Sequence, residues 1–204
     1  MALFVTFEGG EGCGKSTQAR ALYKQVSAAG IPVVLTHEPG GTPLGSRVRH
    51  LLKRVPEVEI SPLTELLLIN ASRAQLVRDV IGPNLAKGTM VICDRYADST
   101  VAYQGYGRGL GSKVIEEVNY IATKGLLPDL AVLMDIPVEI GLARKRLGRW
   151  DRFELEDSAF HQRVREGYLR TASADPYRWL VIDATLSRGR IRGQVWERVR
   201  ELLS

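Results

Sequence analysis

The chain is poor in the residues that would commit it to several kinds of chemistry. It has only 2 cysteines and 3 histidines in 204 residues. Cys13 sits in a glycine-rich stretch and Cys93 in a predicted strand, so no disulfide framework is indicated. His37, His50 and His161 lack a spacing such as H-E-x-x-H, which argues against a zinc site. No apolar run approaches the length of a membrane span, and the apolar N-terminal stretch is broken too early, at Glu8, for a signal peptide. Linkers rich in Pro, Gly or Ser, low-complexity tracts and internal repeats are all missing. A single domain over residues 1–204 is therefore expected, long enough to bury a real core. Charge of one sign does not dominate either. The 28 basic and 23 acidic residues give a net +5, which suits an anionic ligand but makes no nucleic-acid footprint. These absences predict a cytoplasmic protein with neither membrane nor nucleic acid as partner.

What is present is more specific. Gly9-Gly10-Glu11-Gly12-Cys13-Gly14-Lys15-Ser16 fits G-x-x-x-x-G-K-[ST], the phosphate-binding P-loop. From average residue usage, this pattern arises by chance in about one chain of this length in a hundred. Its context narrows that further: Leu3–Phe7 reads as a buried strand before it, and Ser16–Ala29 as a helix after it, ending at Gly30. Such a turn aims backbone N–H groups and a helix N-terminus at one point, which suits polyphosphate oxygens. Lys15 would reach the β- and γ-phosphates, and the Ser16 hydroxyl would ligate Mg²⁺.

Five short apolar runs read as buried strands: Leu3–Phe7, Val33–Thr36, Met90–Cys93, Leu130–Asp135 and Leu180–Asp183. The helical stretches between them predict an α/β fold, a five-stranded parallel sheet flanked by helices. Ligands of such sheets bind beyond the carboxyl ends of the strands. Four runs end there on polar residues: Glu8, His37-Glu38, Asp94-Arg95 and Asp183. Pro62–Ile81 is the most apolar helix candidate, with apolar residues on most of its circumference, and predicts burial on more than one side. It is a central core helix, or one that also forms a dimer interface.

Asp94-Arg95-Tyr96 follows a strand, where an acid would face the metal across the P-loop and an arginine could bridge donor and acceptor phosphates. A GTPase would carry N-K-x-D, but neither Asn70, Asn84 nor Asn119 precedes a lysine. Asp79-Val80-Ile81-Gly82 matches D-x-x-G yet closes a helix, so it is read as coincidence. Arg144, Lys145, Arg146, Arg149 and Arg152 form a second cationic cluster, read either as a solvated or nucleic-acid-binding patch or as an arginine flap closing over a transferring phosphoryl group.

Together, Phe7-Glu8-Gly9 with the P-loop, Glu38-Pro39-Gly40-Gly41-Thr42-Pro43, Arg73-Ala74-Gln75, Asp94-Arg95-Tyr96, Tyr103-Gln104-Gly105 and Asp151-Arg152-Phe153-Glu154 resemble thymidylate kinase of the bacterial type. The resemblance runs to about Tyr168, with a weaker echo at Ile182-Asp183-Ala184. It implies a nucleoside monophosphate kinase fold with a short lid near residues 144–156, transfer of the γ-phosphoryl of ATP to dTMP with Mg²⁺, and a homodimer.

Carried over residue by residue, the resemblance implies ATP binding by Gly9, Gly10, Glu11, Gly12, Cys13, Gly14, Lys15, Ser16, Thr17, Arg144 and Asp183. Ser16 and Asp94 would serve the metal. Lys15, Arg95, Arg149 and Arg152 would stabilise the transferring charge. Arg49 and Arg95 would grip the acceptor phosphate, and Arg73 the thymine carbonyl edge. Thr100 and Gln104 would satisfy the base's other polar atoms, Tyr103 would pack against the deoxyribose, and Glu11 and Glu38 would lie near sugar and phosphate. Ile69 and Tyr168 complete the implied substrate site. Two positions depart from the family pattern: His37 replaces the usual arginine, and Ile69 the usual phenylalanine. Another nucleoside monophosphate or deoxynucleoside kinase would share the phosphate machinery and differ in the base pocket. A P-loop ATPase or nucleotide-binding module would lack the paired acceptor-side arginines.

Overall fold

The computed structural model describes residues 2–55, 58–145 and 151–203. Its centre is one parallel sheet of β1 (Phe4–Glu8), β2 (Val33–His37), β3 (Met90–Asp94), β4 (Leu130–Asp135) and β5 (Trp179–Asp183), in the spatial order β2-β3-β1-β4-β5. β1 lies in the middle, pairing Phe4 with Val91 on one side and Val5 with Leu130 on the other. Every residue of β1 is buried, Thr6 and Glu8 included, as a central strand covered on both faces requires. Chain order reverses direction at β1, so the crevice beyond its carboxyl end opens between β3 and β4.

Helices cover both faces. On one, α1 (Lys15–Ala28) and α9 (Arg188–Leu203) bring Leu22, Val26, Ile191, Val195 and Val199 against Val5, Phe7, Ile92 and Val132. On the other, α3 (Pro62–Leu76) sets Leu76 with Phe4, Val91, Cys93 and Tyr96. There α8 (Ser158–Ala174) also places Phe160 and Val164 near Leu133. α2 (Pro43–Arg54), α4 (Gly82–Ala86), α5 (Ala97–Thr100), α6 (Ser112–Thr123) and α7 (Val138–Lys145) complete the order.

Local signals explain several starts. Thr42 caps α2 by accepting from Gly45 N at 3.0 Å, and Asp157 caps α8 by accepting from Phe160 N at 2.6 Å. Ser61 caps α3, with Pro62 in its first turn. α1 differs: Gly14 precedes it in the left-handed region (φ 93°) with no side-chain cap. Its first N–H groups are thereby left open to the crevice.

The strands extend past the predicted apolar runs by one residue, to Glu8, His37, Asp94 and Trp179. Backbone pairing, not side-chain polarity, sets where a ladder ends; Arg95 N still donates to Phe7 O at 3.0 Å. The first strand starts at Phe4 rather than Leu3, and the first helix spans Lys15–Ala28 rather than Ser16–Ala29. The predicted Pro62–Ile81 helix is α-helical only to Leu76; Val77–Ile81 is π-helical and leads into α4. Pro83 cannot donate and crowds the carbonyl four residues back. The backbone widens just before it, where Gly82 N donates to Val77 O. A second π-helical stretch, Val101–Gly107, follows α5.

Candidate active site

The P-loop joins β1 to α1 and packs against α7. An added Cβ at Gly12 would lie 1.9 Å from Gly141 O, and one at Gly141 would lie 2.4 Å from Glu11 O, so the two backbones meet only because both residues are glycine. The Lys15 ammonium folds onto the loop, donating to Gly9 O at 3.0 Å and Gly10 O at 2.6 Å, with Cys13 Sγ at 3.4 Å. Ser16 Oγ donates to Asp94 Oδ2, bringing the two expected metal-side residues together. A hydroxyl and a carboxylate at this spot are hard oxygen donors of the kind Mg²⁺ takes. The cavity above them measures about 630 Å³. Glu11, Gly12, Gly14, Lys15, Ser16, Thr17, Arg49, Asp94, Arg95 and Arg144 line it. Gly9, Gly10 and Cys13 are not among its lining residues; Cys13 is buried, with its thiol on Gly10 O at 3.1 Å.

A second, narrower pocket opens from the first. Ile69, Arg73, Tyr96, Ser99, Thr100, Tyr103, Gln104 and Phe153 line it, and it shares Glu11, Glu38, Pro39, Lys53 and Arg95 with the phosphate cavity. Arg95 stands where the two meet. Its backbone is left-handed (φ 73°), a conformation that strains a non-glycine residue and is common at functional sites. Its Nη2 donates to Glu11 Oε1 at 2.7 Å and to the Tyr103 hydroxyl at 2.9 Å. Nη1 donates to Gly9 O and to the Tyr168 hydroxyl, each at 3.1 Å. The guanidinium lies 4.8 Å from the Tyr103 ring centroid. Tyr168 lines neither of these two pockets. Its hydroxyl also donates to Glu8 Oε2 at 3.1 Å, so it braces Arg95 from behind.

Arg73 is 1 % exposed and nearly saturated. Nε donates to Glu38 Oε2 at 2.8 Å, Nη1 to Asn70 Oδ1 at 3.0 Å and Asn119 Oδ1 at 2.7 Å, and Nη2 to Tyr96 O at 3.0 Å. Four of its five donor positions thus face protein, leaving one for a ligand. Glu38 Oε1 and Thr100 Oγ1 are buried without a hydrogen-bond partner among the described residues, and both side chains line the narrow pocket. Buried polar atoms left open in a pocket are groups that a polar ligand satisfies.

Burial sets the electrostatics. Loss of solvent raises Glu38 to about 7 although Arg73 opposes it. Burial, then the charge of Asp98, raises Glu8 to about 8. Burial would raise Glu11 as well, but Arg95, Lys15 and Lys53 together hold it well below the usual carboxylate range.

Other expected residues are not brought together. Asp183 is exposed and accepts from Thr185 Oγ1 at 2.7 Å and Thr185 N at 2.8 Å; those bonds lower its pKa, and it does not line the phosphate cavity. The neighbouring Ala184 O accepts from Arg144 Nη1 at 3.1 Å. Arg152 does not line the phosphate cavity and donates to Glu65 Oε2. Arg149 lies outside the described residues, as does part of the lid expected over 144–156. Among the lining or bracing residues that escaped the sequence reading, three stand out. Lys53 lines both pockets and pairs with Asp151 Oδ2 at 2.5 Å. It lies four residues after Arg49 on α2, a spacing that puts both on one face and was the available signal. Phe153 sits inside the Asp-Arg-Phe-Glu segment but carries no polar flag. Glu65 is buried in the first turn of α3, where an acid ordinarily passes for a partner of the helix dipole.

The chain is similar to known proteins. A family model described as "Thymidylate kinase" matches residues 7–195. A thymidylate kinase of Dehalococcoides mccartyi (strain 195) is 52% identical over 203 residues, covering 100% of this chain and 98% of the relative. One of Deinococcus radiodurans is 50% identical over 200 residues, covering 98% and 97%. The crystal structure of the thymidylate kinase from Ehrlichia chaffeensis superposes with a TM-score of 0.74 at 36% identity, covering 89% of this chain and 92% of that one.

Proposed function

We infer the working of the site from one premise: the chain belongs to the thymidylate kinase family. It phosphorylates dTMP to dTDP, with ATP as the phosphoryl donor. A 5′-phosphate oxygen of dTMP attacks the γ-phosphorus, the bond from that phosphorus to the β–γ bridging oxygen breaks, and ADP leaves with the electron pair. The attacking oxygen is already ionised, so no general base is needed; positioning and charge neutralisation carry the rate.

The observation that carries this reading is Arg95, which lines both pockets and is braced by Tyr103 and Tyr168. A guanidinium at that junction can touch the acceptor phosphate and the group in transfer together. On binding, Lys15 exchanges its two loop carbonyls for phosphate oxygens, and the open N-terminus of α1 receives the rest. Ser16 and Asp94 would hold Mg²⁺, which would supply charge neutralisation on the nucleotide phosphates. Arg49 and Lys53 add positive charge on the acceptor side. Arg73 offers its remaining donor to a thymine carbonyl, while Thr100 and Gln104 meet the other polar atoms of the base. Ile69 and Phe153 form its apolar walls, and Tyr103 and Glu38 flank the sugar. Arg144 and the Asp183–Ala184 turn serve the ATP side. Arg149 and Arg152 act from a lid near 144–156, Arg152 only after leaving Glu65.

Residues 1–204 form one kinase domain, working in the cytoplasm; among the described residues no helix is long and apolar enough to cross a membrane. The protein is a homodimer. Leu63 and Leu67, 49% and 51% exposed, stand four apart on α3, and α6 beside it exposes Tyr120 and Ile121. Such a row buries itself against its copy about a two-fold axis. Light scattering at micromolar concentration should report twice 22.6 kDa, and a monomer rules the dimer out. The reaction is tested by a coupled assay with Mg²⁺, ATP and a panel of dTMP, dCMP, dGMP, AMP and UMP. Strong preference for dTMP is expected; ATP hydrolysis indifferent to the acceptor would overturn the assignment.

A further inference from the structure

Glu65 lines neither the phosphate cavity nor the base pocket, yet it is 1 % exposed and takes four donors. Gln104 Nε2 donates to its Oε1 at 2.8 Å, Arg108 donates through Nε to Oε1 and Nη2 to Oε2, both at 3.2 Å, and Arg152 Nη2 donates to Oε2. Arg108 is itself held by Glu156 Oε1 at 2.6 Å, which keeps its fork on Glu65. Helix capping does not explain this carboxylate, because Ser61 caps α3 through Thr64 N.

The consequence falls on Gln104. A side-chain amide carries a donor end and an acceptor end of nearly the same shape, and its neighbours decide which way round it sits. A carboxylate gripped by two guanidinium groups accepts only. The Gln104 NH₂ is therefore committed to Glu65, and its carbonyl oxygen, which accepts no hydrogen bond among the described residues, is the end left for the base pocket that Gln104 lines.

We propose that Glu65 is a specificity-positioning residue: by holding the NH₂ of Gln104, it makes the base pocket present an acceptor, which admits a pyrimidine carrying an N3–H donor and repels one carrying an N3 lone pair. This rests on dTMP being the acceptor, and adds a cause for its discrimination from dCMP. Cytosine would set its N3 lone pair against the Gln104 oxygen, two acceptors facing each other in a buried site. The same carboxylate also holds Arg152, so reading of the base and parking of the lid arginine meet on one side chain.

The test compares kcat/KM for dTMP and dCMP in the wild type, Glu65→Gln, Gln104→Met and the double variant. A glutamine at 65 can donate as well as accept, so the Gln104 amide can turn over. The dTMP/dCMP ratio should fall by about tenfold, the worth of one buried hydrogen bond, chiefly through KM for dTMP. The double variant should be no less selective than Gln104→Met alone, because Glu65 acts through Gln104. Arg152→Met should lower kcat for both substrates and leave the ratio unchanged. An unchanged ratio in folded Glu65→Gln, or a further loss in the double variant, would overturn the proposal. Should Glu65→Gln not fold, the ¹⁵N–¹H spectrum of wild-type protein decides. The Gln104 side-chain NH₂, identified by its loss in Gln104→Met, should exchange slowly with solvent; exchange at the rate of a free amide would overturn the assignment. A wild type inactive on dTMP would instead sink the underlying function.

Discussion

The Glu11 carboxylate sits 2.7 Å from Arg95 Nη2, so an anion of the P-loop already occupies the guanidinium that lines both pockets. Lys15 is likewise engaged, on the carbonyls of its own loop. Both cations are thus held in place by internal partners that a phosphate can replace. Arg95→Ala and Lys15→Ala should each lose on the order of 10²-fold or more in kcat, since on the proposed reading each removes a positive charge that stabilises the transferring group. Steady-state kinetics under saturating ATP and dTMP checks this.

Glu11→Gln separates the two roles of that carboxylate. The amide keeps the shape and a hydrogen-bond acceptor but removes the competing charge, while Tyr103, Tyr168 and Gly9 O still orient Arg95. Calorimetric titration should show dTMP binding as tight as in wild type or several-fold tighter, with lowered kcat as Arg95 loses its strongest restraint. Weaker dTMP binding would mean that Glu11 chiefly orients the ligand.

Arg73 should be the most damaging single truncation in the pocket. Its removal takes the partner from Glu38, 3 % exposed, and empties the bonds to Asn70 and Asn119. Breaking a buried pair from one side costs about 3–5 kcal/mol, because the remaining group is left uncompensated. Urea unfolding of Arg73→Ala should show a loss of that size alongside the loss of dTMP activity.

Glu8 makes stability fall with rising pH. An ordinary glutamate releases its proton near 4.5, whereas folded Glu8 keeps it to about 8. Between those values the folded state holds more protons than the unfolded one, so stability declines through that window and levels off above it. Glu38, raised to about 7, acts in the same direction. Glu11 acts oppositely: held low, it contributes stability above its unfolded pKa that is lost on acidification. Glu8→Gln should therefore raise Tm at pH 8 and show little difference from wild type at pH 4. Melting curves across that range test it; a constant offset would contradict the linkage.

Ile69 is 8 % exposed and shares its cluster with Tyr103, Phe153 and Phe160. Stacking of a base on an aromatic face is worth roughly 1–3 kcal/mol, and isoleucine retains the burial without the flat surface. Ile69→Phe should lower KM for dTMP several-fold with kcat little changed, the pattern of uniform binding gained. A raised KM or lowered Tm would mean that the neighbouring rings already fill the space.

Much of the site was legible because its chemistry is local. The P-loop lies within one strand–turn–helix unit, so the placement of Lys15 and Ser16 follows from adjacency in the chain. Asp94 and Arg95 end a strand, and in a parallel sheet strand ends converge on one edge. The number of strands and their parallel sense followed from apolar runs alternating with helices. Gly14 before α1 and Thr42 before α2 were likewise local choices, between a residue and its next few neighbours.

The phosphate end was written into the order of residues: a five-stranded parallel frame, and a loop that gathers N–H groups, a lysine and a hydroxyl. The partners that hold the narrow pocket's residues came only with packing. Glu65 reads as a first-turn acid, but meets Gln104, Arg108 and Arg152 only when α3, the π-helical stretch and the segment around Arg152 come together. Arg73 finds Glu38 and Asn119 35 and 46 residues away, and Tyr168 reaches Arg95 across 73. Which donor remains free in such a network depends on which partners burial has already supplied. No local pattern encodes that, because a buried polar group is satisfied by whatever the packed chain brings to it, at any separation.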